Sequence, residues 1–560
     1  MDPRSRTAQR PDAHSGSGMN ITNPILRGFN PDPSILRVGD DYYIATSTFE
    51  WYPGVQIHHS RDLVHWRLLT RPLRRASQLD MRGDPDSCGI WAPCLTYSDG
   101  LFYLIYTDVK RYGRASIGGM SNASLRDFHN YLVTTDRIDG DWSDPIYLNS
   151  SGFDPSLFHD DDGREYLLNM LWDHRPAQNR FAGIVLQEYS PREQKLIGQR
   201  QVIFRGTSIG FTEGPHLYKR SGYYHLLVAE GGTFWGHAVT MARSRSIDGP
   251  YELHPDTYVL TARNRPDSPL QRAGHGSLVE TQDGQAYMTY LCGRPLPNRG
   301  RCVLGRETAI QKMAWAEDGW LRTTNGDGLP QVTTPAPNLP HPFPPAPLRE
   351  DFDSRELPID FQWLRTPYPQ RIFSLTERPG FLRLFGRETL GSQFEQALVA
   401  RRQQDFCFTA ATRMEFNPQH FQHAAGLVLY YNATKFHYLF LTDDDAIGRH
   451  LRVMSCLTDL GDSFSAPIPL PPGTANIELR MDVDFERLIF SYRLPGEAWR
   501  QIAQVFDASI VSDEAGPPTL PNFTGAFVGL CCQDGAGTSH PADFDYFEYR
   551  ERDYLTAITF

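Results

Sequence analysis

The chain has 560 residues, more than one ordinary hydrophobic core accommodates, so two domains are the starting expectation. Its 46 glycines and 42 prolines favour many short strands joined by tight turns over long helices. A formal net charge of −11 with no dense run of Lys and Arg argues against nucleic acid as a partner, and a neutral polymer fits the charge better.

Residues 1–20 form a polar segment without an apolar stretch, which predicts a disordered N-terminal tail and neither a secretion signal nor a membrane anchor. Met19 is an alternative start, because patterned sequence begins with Ile21. No later stretch supplies the roughly 20 apolar residues of a membrane span. The eight cysteines form no C-x-x-C pair, as expected for reduced thiols, so we expect a cytoplasmic protein without a membrane partner.

A weak repeat follows, in which a turn pair precedes an aromatic-rich strand. The copies read GDDYYIATS, DGLFYLIYT, DGREYLLNM, SGYYHLLVA and DGQAYMTYL. The tyrosines that we take as equivalent are 61, 63, 58 and 63 residues apart, at Tyr42, Tyr103, Tyr166, Tyr224 and Tyr287.

A second pattern, a turn followed by an aromatic residue, recurs at Ser60, Thr135 and Ser244. The two patterns together predict units of four strands, and units arranged in a ring protect their strand edges. We therefore predict an all-β chain with a five-bladed β-propeller over residues 21–328.

The strand before each repeat carries Asp32, Trp91, Asp154, Glu213 and His275 at similar positions, four of them polar. In a propeller the innermost strand of every blade faces the central channel, so equivalent positions form a ring around one axis. The repeat thus predicts that these five residues share one site.

Three carboxylates at one ring position favour the chemistry of glycosidic bond cleavage. That reaction needs a protonated acid for the leaving oxygen and an ionised base or nucleophile for the anomeric carbon. Crowding Asp154 near Glu213 would raise the pKa of the acid. Arg306 would hold the opposite carboxylate charged or contact sugar hydroxyls.

Residues 329–348 are rich in proline and predict an extended, semi-rigid linker. In residues 349–560, apolar and charged residues alternate from Ile477 to Phe485, the period of a half-buried strand. The segments FLRLFGR, HAAGLVLYY, FTGAFVGL and DFDYFEY are read in the same way. A β-sandwich, jelly-roll-like, is the predicted second domain.

The motifs of residues 21–313 occur in the order found in glycoside hydrolase family 43, and the set resembles the β-xylosidases of that family. The motifs are NPDPS, TSTFEWYPG, GIWAP, GFDPSLF, TEGPHLY, GHGSLVE and GRETAIQKM. The resemblance implies a five-bladed propeller and an inverting mechanism. It assigns Asp32 as general base, Glu213 as general acid and Asp154 as the residue that sets the acid's pKa.

The same resemblance implies that Phe49, Trp91 and Trp172 wall the substrate pocket, and that Arg306 contacts the nonreducing-end sugar. It places His275 near the channel centre, where some relatives hold a divalent ion, often calcium. No cofactor is required, and no cluster with metal-ligand spacing is evident in the sequence.

In similar β-xylosidases the sandwich packs on the propeller, and a loop matching NFTGAF closes one end of the pocket. Phe523 in this loop is as well explained by the sandwich core as by the pocket. A closed pocket admits a terminal sugar, which predicts exo action that releases xylose from the nonreducing ends of β-1,4-xylo-oligosaccharides. Relatives are often dimers or tetramers, so we expect a homo-oligomer.

Three other functions stay open at this point. An α-L-arabinofuranosidase, or a dual enzyme acting on arabinosides as well, uses the same chemistry on a sugar with similar hydroxyl groups. A retaining fructoside-cleaving enzyme has the same two-domain plan, but its motifs are matched only by a near-miss. A noncatalytic glycan-binding propeller would bind sugar without turnover.

Overall fold

The computed structural model describes residues 19–112, 126–297, 300–337, 340–457, 462–516 and 522–552. These ranges are all-β, as predicted, and their helical segments are two 3₁₀ turns, Pro369–Arg371 and Ala508–Ile510. No helix within them has the length and apolar character needed to cross a membrane. Residues 1–18 of the predicted tail lie outside the described part of the chain.

The first half of the chain is a five-bladed propeller, which confirms the architecture predicted from the repeat. Each blade is an antiparallel sheet whose strands run outward in chain order, and each repeat tyrosine lies in a second strand. Blade 1 contains Ser34–Val38, Asp41–Thr46, Gln56–Ser60 and Arg67–Thr70. Blade 2 contains Gly89–Ser98, Leu101–Arg111, Asp127–Thr135 and Ile146–Asn149.

The other three blades follow the same plan. Blade 3 contains Ser156–His159, Glu165–Trp172, Phe181–Ser190 and Lys195–Phe204. Blade 4 contains Glu213–Arg220, Tyr223–Glu230, Ala238–Ser244 and Glu252–Leu253, with Leu260–Thr261 also paired to its third strand. Blade 5 contains Gln271–Glu280, Ala286–Gly293, Glu307–Trp315 and Leu321–Thr323.

The N-terminal segment is tied to the chain that leaves blade 5. The strand Asn20–Thr22 pairs with Thr333–Pro335, and the Asn23 side chain donates to the carbonyl of Ile310 at 2.7 Å. Asn20 belongs to the range predicted as a tail, and Thr333–Pro335 to the range predicted as a linker. That linker is therefore partly a strand, which its proline tolerates because each strand of this two-stranded sheet is an edge.

The second half of the chain is a β-sandwich, as predicted, made of an inner sheet next to the propeller and an outer sheet. In spatial order the inner sheet contains Asp462–Phe464, Gly448–Leu457, Lys435–Asp444, His423–Asn432, Phe527–Asp534, Ala397–Arg402, Gln362–Leu364 and Trp51–Tyr52, and Ile468–Pro469 pairs with Gly448–Leu457. The outer sheet contains Phe373–Ser374, Leu382–Phe385, Pro541–Glu551, Cys407–Glu415, Asn476–Asp484, Arg487–Arg493 and Arg500–Asp507, and Arg349–Glu350 pairs with Pro541–Glu551.

The last strand of the inner sheet, Trp51–Tyr52, comes from the chain of blade 1. It pairs with Gln362–Leu364, and the Trp51 ring stacks on Phe527 with centroids 3.7 Å apart. The propeller therefore supplies an edge strand to the second domain, which the sequence did not indicate.

Burial in the sandwich separates its two sheets. Asn476–Asp484 alternates between buried and half-buried residues, as its sequence predicts. His423–Asn432 is buried along its whole length instead, because the propeller covers the face that a two-layer sandwich would leave in water. Leu427 faces the core between the sheets, and Val428 packs in the cluster that contains Trp51.

Candidate active site

Each blade has a residue with positive φ near the axis, either just before its innermost strand or within it. These residues are Asp32, Ala92, Asp154, Gly214 and His275, with φ between 35° and 56°. The predicted ring is out of register by one residue in blades 2 and 4, where Trp91 and Glu213 directly precede the positive-φ residue. The strand pairing is irregular at this point in blades 2, 4 and 5.

Two residues further along every innermost strand lies a second ring, formed by Ser34, Cys94, Ser156, His216 and Ser277. These side chains line another cavity of about 290 Å³ in the central channel. The channel is thus built in layers, and the acidic side chains belong to the first layer.

A cavity of about 190 Å³ opens over the first layer. Pockets for drug-sized ligands measure about 300–1,000 Å³, so this cavity has room for one small ring. Every residue that the sequence analysis assigned to the site lines it, with the exception of Trp172. The lining residues are Asp32, Phe49, Trp91, Tyr112, Phe153, Asp154, Phe181, Phe211, Glu213, residues 231–234, His275, Arg306 and Phe523.

Asp32 sits in a tight turn between two prolines, and its backbone has φ +56°. Its side chain is 5% exposed. One oxygen accepts a hydrogen bond from the Ser47 hydroxyl at 2.6 Å, and the other accepts one from the Arg306 guanidinium at 2.8 Å. Ser47 in turn accepts a bond from the backbone N–H of Ala92, so blade 2 helps to orient the carboxylate.

Arg306 connects the propeller site to the sandwich domain. Besides Asp32, it donates to the backbone carbonyl of Phe523 at 2.9 Å, and its guanidinium lies 5.3 Å from the centre of the Phe49 ring. The N–H of Phe523 donates to the Ser87 hydroxyl. The loop from the second domain is therefore held at the cavity by its backbone, and its aromatic side chain forms part of the wall.

Glu213 is the first residue of the innermost strand of blade 4 and is 7% exposed. Within the described ranges, no donor forms a hydrogen bond with its carboxyl group. Burial raises its pKa well above the usual value, and the charges of Asp154 and then Asp32 raise it further, while Arg306 opposes them. A protonated carboxyl group without a fixed partner can donate a proton to a ligand.

Asp154 stands beside Glu213 with φ +55° and accepts a hydrogen bond from the N–H of Gly214 at 3.0 Å. Burial, followed by the charge of Asp32, raises its pKa, and the Gly214 bond opposes the rise. The bond favours the charged form of Asp154 over that of Glu213, which has no such donor. Of the two neighbours, Glu213 therefore keeps its proton more readily.

The backbone before Glu213 is held by a further buried carboxylate, Glu230, which was not predicted from the sequence. Glu230 is 0% exposed and accepts four hydrogen bonds, from the N–H and hydroxyl of Thr207 and from the hydroxyls of Thr212 and Thr240. It thereby fixes the loop that leads into the acidic residue.

Aromatic rings form the walls of the cavity. The Trp91 ring lies 5.5 Å from Phe49, 5.5 Å from Phe153 and 5.6 Å from Phe523, centre to centre. Such surfaces suit the apolar face of a sugar ring. Trp172 was predicted to belong to them and does not, because it lies one layer further out.

The ring of Trp172 packs against Tyr112 and Phe181, which line the cavity themselves. These two rings, with Phe153, Phe211 and Phe234, are the aromatic lining residues that were not predicted from the sequence, and residues 231–233 are the others. Phe153 could have been found because it precedes Asp154 in FDPS. The other rings lie outside the innermost strands, where the sequence repeat gives no indication of them.

His275 lies at the floor of the cavity and is 5% exposed. Its Nδ1 is 3.8 Å from Asp32, and a side chain at Gly214 would meet its ring. Burial lowers its pKa and the charge of Arg306 lowers it further, while Asp32 opposes both. A neutral His275 is the consequence.

The residues around His275 do not fit a calcium site built from protein ligands. Calcium takes six to eight oxygen ligands, and the nearest carboxylate, Asp32, is already bound by Arg306. In the described part of the chain, no group of three or more His, Cys, Asp or Glu side chains could hold a metal ion. We therefore assign no step to a metal ion.

Comparisons with known proteins agree with this geometry. The model for "Glycosyl hydrolases family 43" matches residues 21–321, and the model for "Beta xylosidase C-terminal Concanavalin A-like domain" matches residues 349–550. The chain is 53% identical to "Xylosidase/arabinosidase 43B" of Humicola insolens, over 95% of this chain and 97% of that protein. It is 50% identical to "Beta-xylosidase" of Bacillus subtilis (strain 168), over 95% and 100%.

Among solved structures, xylan beta-1,4-xylosidase from Bacillus halodurans C-125 superposes with a TM-score of 0.91 at 53% identity, covering 95% of this chain and all of that one. The matches extend over both domains and include the segments that carry Asp32, Asp154 and Glu213. From the fold, the buried acidic cavity and these matches together, the chain belongs to glycosyl hydrolases family 43.

Proposed function

We propose that the protein is an inverting, exo-acting β-xylosidase that releases xylose from the nonreducing ends of β-1,4-xylo-oligosaccharides and so contributes to xylan degradation. The observation that carries the proposal is the small aromatic cavity with Asp32, Asp154 and Glu213 at its floor. Its size and the contribution of Phe523 support binding of one terminal sugar. The names of the relatives support xylose as that sugar.

In the proposed mechanism Glu213 donates its proton to the glycosidic oxygen, since its carboxyl group is buried and its pKa is raised. Asp32 accepts a proton from a water molecule, which attacks the anomeric carbon from the opposite face. Asp154 keeps Glu213 protonated through its charge. Arg306 and Ser47 orient Asp32, and Arg306, which lines the cavity, would also contact hydroxyl groups of the sugar.

The second candidate is a dual enzyme that also cleaves terminal α-L-arabinofuranosides. The mostly aromatic wall of the cavity supports it, because stacking surfaces distinguish two pentoses less sharply than hydrogen bonds do. The Humicola insolens relative carries both activities in its name. The ratio of hydrolysis rates on nitrophenyl β-D-xyloside and nitrophenyl α-L-arabinofuranoside measures the balance.

The test of the proposal is the anomer first released from xylobiose, followed by proton NMR. The expected product is α-xylose, which then mutarotates, because a single displacement at a β linkage inverts the anomeric carbon. Initial release of β-xylose would contradict inversion. Absence of any turnover, with binding of xylobiose retained, would favour the noncatalytic glycan-binding propeller instead.

The compartment and the oligomeric state stay predictions. The eight cysteines are buried in the structure, and so few cysteines in a chain of this length support a reducing compartment such as the cytoplasm. A homo-oligomer is proposed from the resemblance alone, and sedimentation of the purified protein at two concentrations tests it.

A further inference from the structure

A separate cavity of about 660 Å³ lies between the propeller and the sandwich. Blade 1 contributes Gln56, His58 and Arg71 to its wall, the proline-rich segment contributes residues 343–348, and the inner sheet contributes Arg402. We call it the interdomain cavity. It plays no part in the reaction described above.

Two buried guanidinium groups line this cavity. Arg71 is 7% exposed and donates to the carbonyls of Ile359 and Phe361 and to the side chain of Gln56. Arg402, 6% exposed, donates to the carbonyl of Phe29 and to the side chain of Gln362. Each arginine thus reaches across to the other domain, and all of these partners are neutral.

Neither guanidinium is in direct contact with a carboxylate of the described residues, and Asp360 acts on both only from a longer distance. Within the described ranges, no carboxylate lies within 4 Å of Arg71 or Arg402, although burying an unpaired charge is costly. Nε of Arg71 and Nη2 of Arg402 have no hydrogen-bond partner. The same holds for Nε of Arg401 and Nδ1 of His58, two other residues that line the cavity. These atoms are buried in the wall, so the remaining N–H groups of the two guanidiniums are the ones available to an anion in the cavity.

The other charged groups around the cavity do not restore the balance. Five arginines and two carboxylates, those of Glu350 and Asp360, line the cavity. Of these arginines, Arg27 forms ion pairs, with Asp405 and Glu551. His65 is paired with Asp62. The five arginines are Arg27, Arg67, Arg71, Arg401 and Arg402.

The pKa values of the basic groups around the cavity also indicate an excess of positive charge there. Burial lowers the pKa of Arg71 to about 9, and Asp360 opposes this only in part. Burial and then Arg71 lower the pKa of Arg402, and Asp360 opposes this in part. Burial, Arg402 and Arg71, in that order, lower the pKa of His58 to about 3. A bound anion would offset this positive field.

We propose that the interdomain cavity is a binding site for a small oxyanion, a phosphate or carboxylate group, held between the guanidinium groups of Arg71 and Arg402. Planar guanidinium groups match the paired oxygens of both anions. A purely structural clamp between domains accounts for the carbonyl contacts of the two arginines. It leaves unexplained why five arginines line the cavity against two carboxylates.

A hydrogen-bond chain connects this cavity to the active site. Arg71 donates to Gln56, whose amide donates to the Asn30 side chain at 2.7 Å. The backbone N–H of Asn30 donates to the carbonyl of Arg306, and Asp32 follows two residues later. A bound anion would therefore stabilise the turn that carries Asp32.

The test is calorimetric titration of the full-length protein with sodium phosphate and, separately, sodium D-glucuronate, at constant ionic strength maintained with sodium chloride. We expect saturable binding of one anion per chain and a rise of about 1–3 °C in the unfolding temperature at saturation. Tighter binding of phosphate would identify a phosphate group as the ligand chemistry, and tighter binding of glucuronate a carboxylate. If neither binds, the proposal is wrong.

Variants locate the site. Arg71→Met and Arg402→Met should each lower the affinity at least ten-fold, whereas Arg200→Met, on the exposed outermost strand of blade 3, should leave it unchanged. If the first two variants do not fold, the double variant Arg67→Gln, Arg401→Gln replaces them and should weaken binding at least three-fold. Unchanged affinity in the variants that fold would overturn the assignment of the anion to this cavity.

Discussion

The three carboxyl groups of the cavity differ in their hydrogen bonds, and this difference supports the roles proposed for them. Asp32 is bound on both oxygens, Asp154 accepts one backbone N–H, and Glu213 has a raised pKa without a described donor. A base must be oriented, whereas an acid must hold a proton that it can release. The surroundings of Asp32 and Glu213 therefore support the roles proposed for them, in agreement with the family resemblance.

Glu213→Gln should lower kcat/KM on xylobiose by about 10²–10⁴, because the leaving sugar departs poorly without a proton. On a dinitrophenyl xyloside, whose leaving group needs little protonation, the loss should be at least ten-fold smaller. Asp32→Asn is the matched variant and should lose activity on both substrates alike. Steady-state kinetics on the two substrates check the roles, and parallel behaviour of both variants would contradict them.

The charge of Asp154 should be visible in the pH dependence. It is the second cause, after burial, of the raised pKa of Glu213, so Asp154→Asn should lower that pKa. Since Glu213 must be protonated to act, the descending alkaline limb of kcat/KM should move to lower pH, by about one unit. Asp162→Asn, in an exposed turn of blade 3, is the control and should leave the limb in place. An unchanged or more alkaline limb in Asp154→Asn would remove its proposed role.

The recurring Asp-Pro-Ser motifs made Asp32 and Asp154 recognisable in the sequence, because both occupy the same strained turn. The one-residue offset at Glu213 and Trp91 was not predictable, since the exact register of strand pairing cannot be read from a single sequence. The role of Glu230 could not be recognised from the sequence for a related reason. Its partners Thr207, Thr212 and Thr240 come together through the fold alone.

At the scale of structural elements, the loop that carries Phe523 completes the cavity from the second domain. Phe523→Ala keeps the backbone bonds to Arg306 and Ser87 but removes a ring that packs on Trp91 and Tyr112. We expect kcat/KM on nitrophenyl xyloside to fall about ten-fold, mainly through KM, since one aromatic contact contributes about 0.5–1.5 kcal/mol.

The matched control for this prediction is Phe421→Ala, because that ring is 71% exposed on the sandwich and does not line the cavity. It should leave both kinetic constants unchanged. Equal kinetics for Phe523→Ala and wild type would show that the ring does not contribute to sugar binding.

Strands whose one face meets water were the easiest elements to predict, as Asn476–Asp484 demonstrates. His423–Asn432 and Phe527–Asp534 were read in the same way, yet both are buried on two faces. Their sequences are continuously apolar, which is also typical of such strands. The surface that covers the second face comes from residues far away in the sequence, so it cannot be predicted from the strand itself. The same applies to the pairing of Trp51–Tyr52 with Gln362–Leu364.

For the whole molecule, the repeat spacing was sufficient to predict five blades, because each hairpin turn is local and recurs at nearly constant distance. The relation between the two domains was not predictable by the same reasoning. One apolar cluster runs from Phe29 and Trp51 in the propeller to Val428 and Phe527 in the inner sheet. The functional cavity therefore depends on contacts between residues about five hundred positions apart.

The stacking of Trp51 on Phe527 has a consequence for synthesis on the ribosome. Translation delivers blade 1 early, but the partner of its tryptophan emerges 476 residues later. Phe523, which lines the same cavity as Asp32, emerges almost equally late. We therefore expect a nascent propeller to keep an uncovered aromatic edge until Phe527–Asp534 has left the exit tunnel, and to become active only after that point.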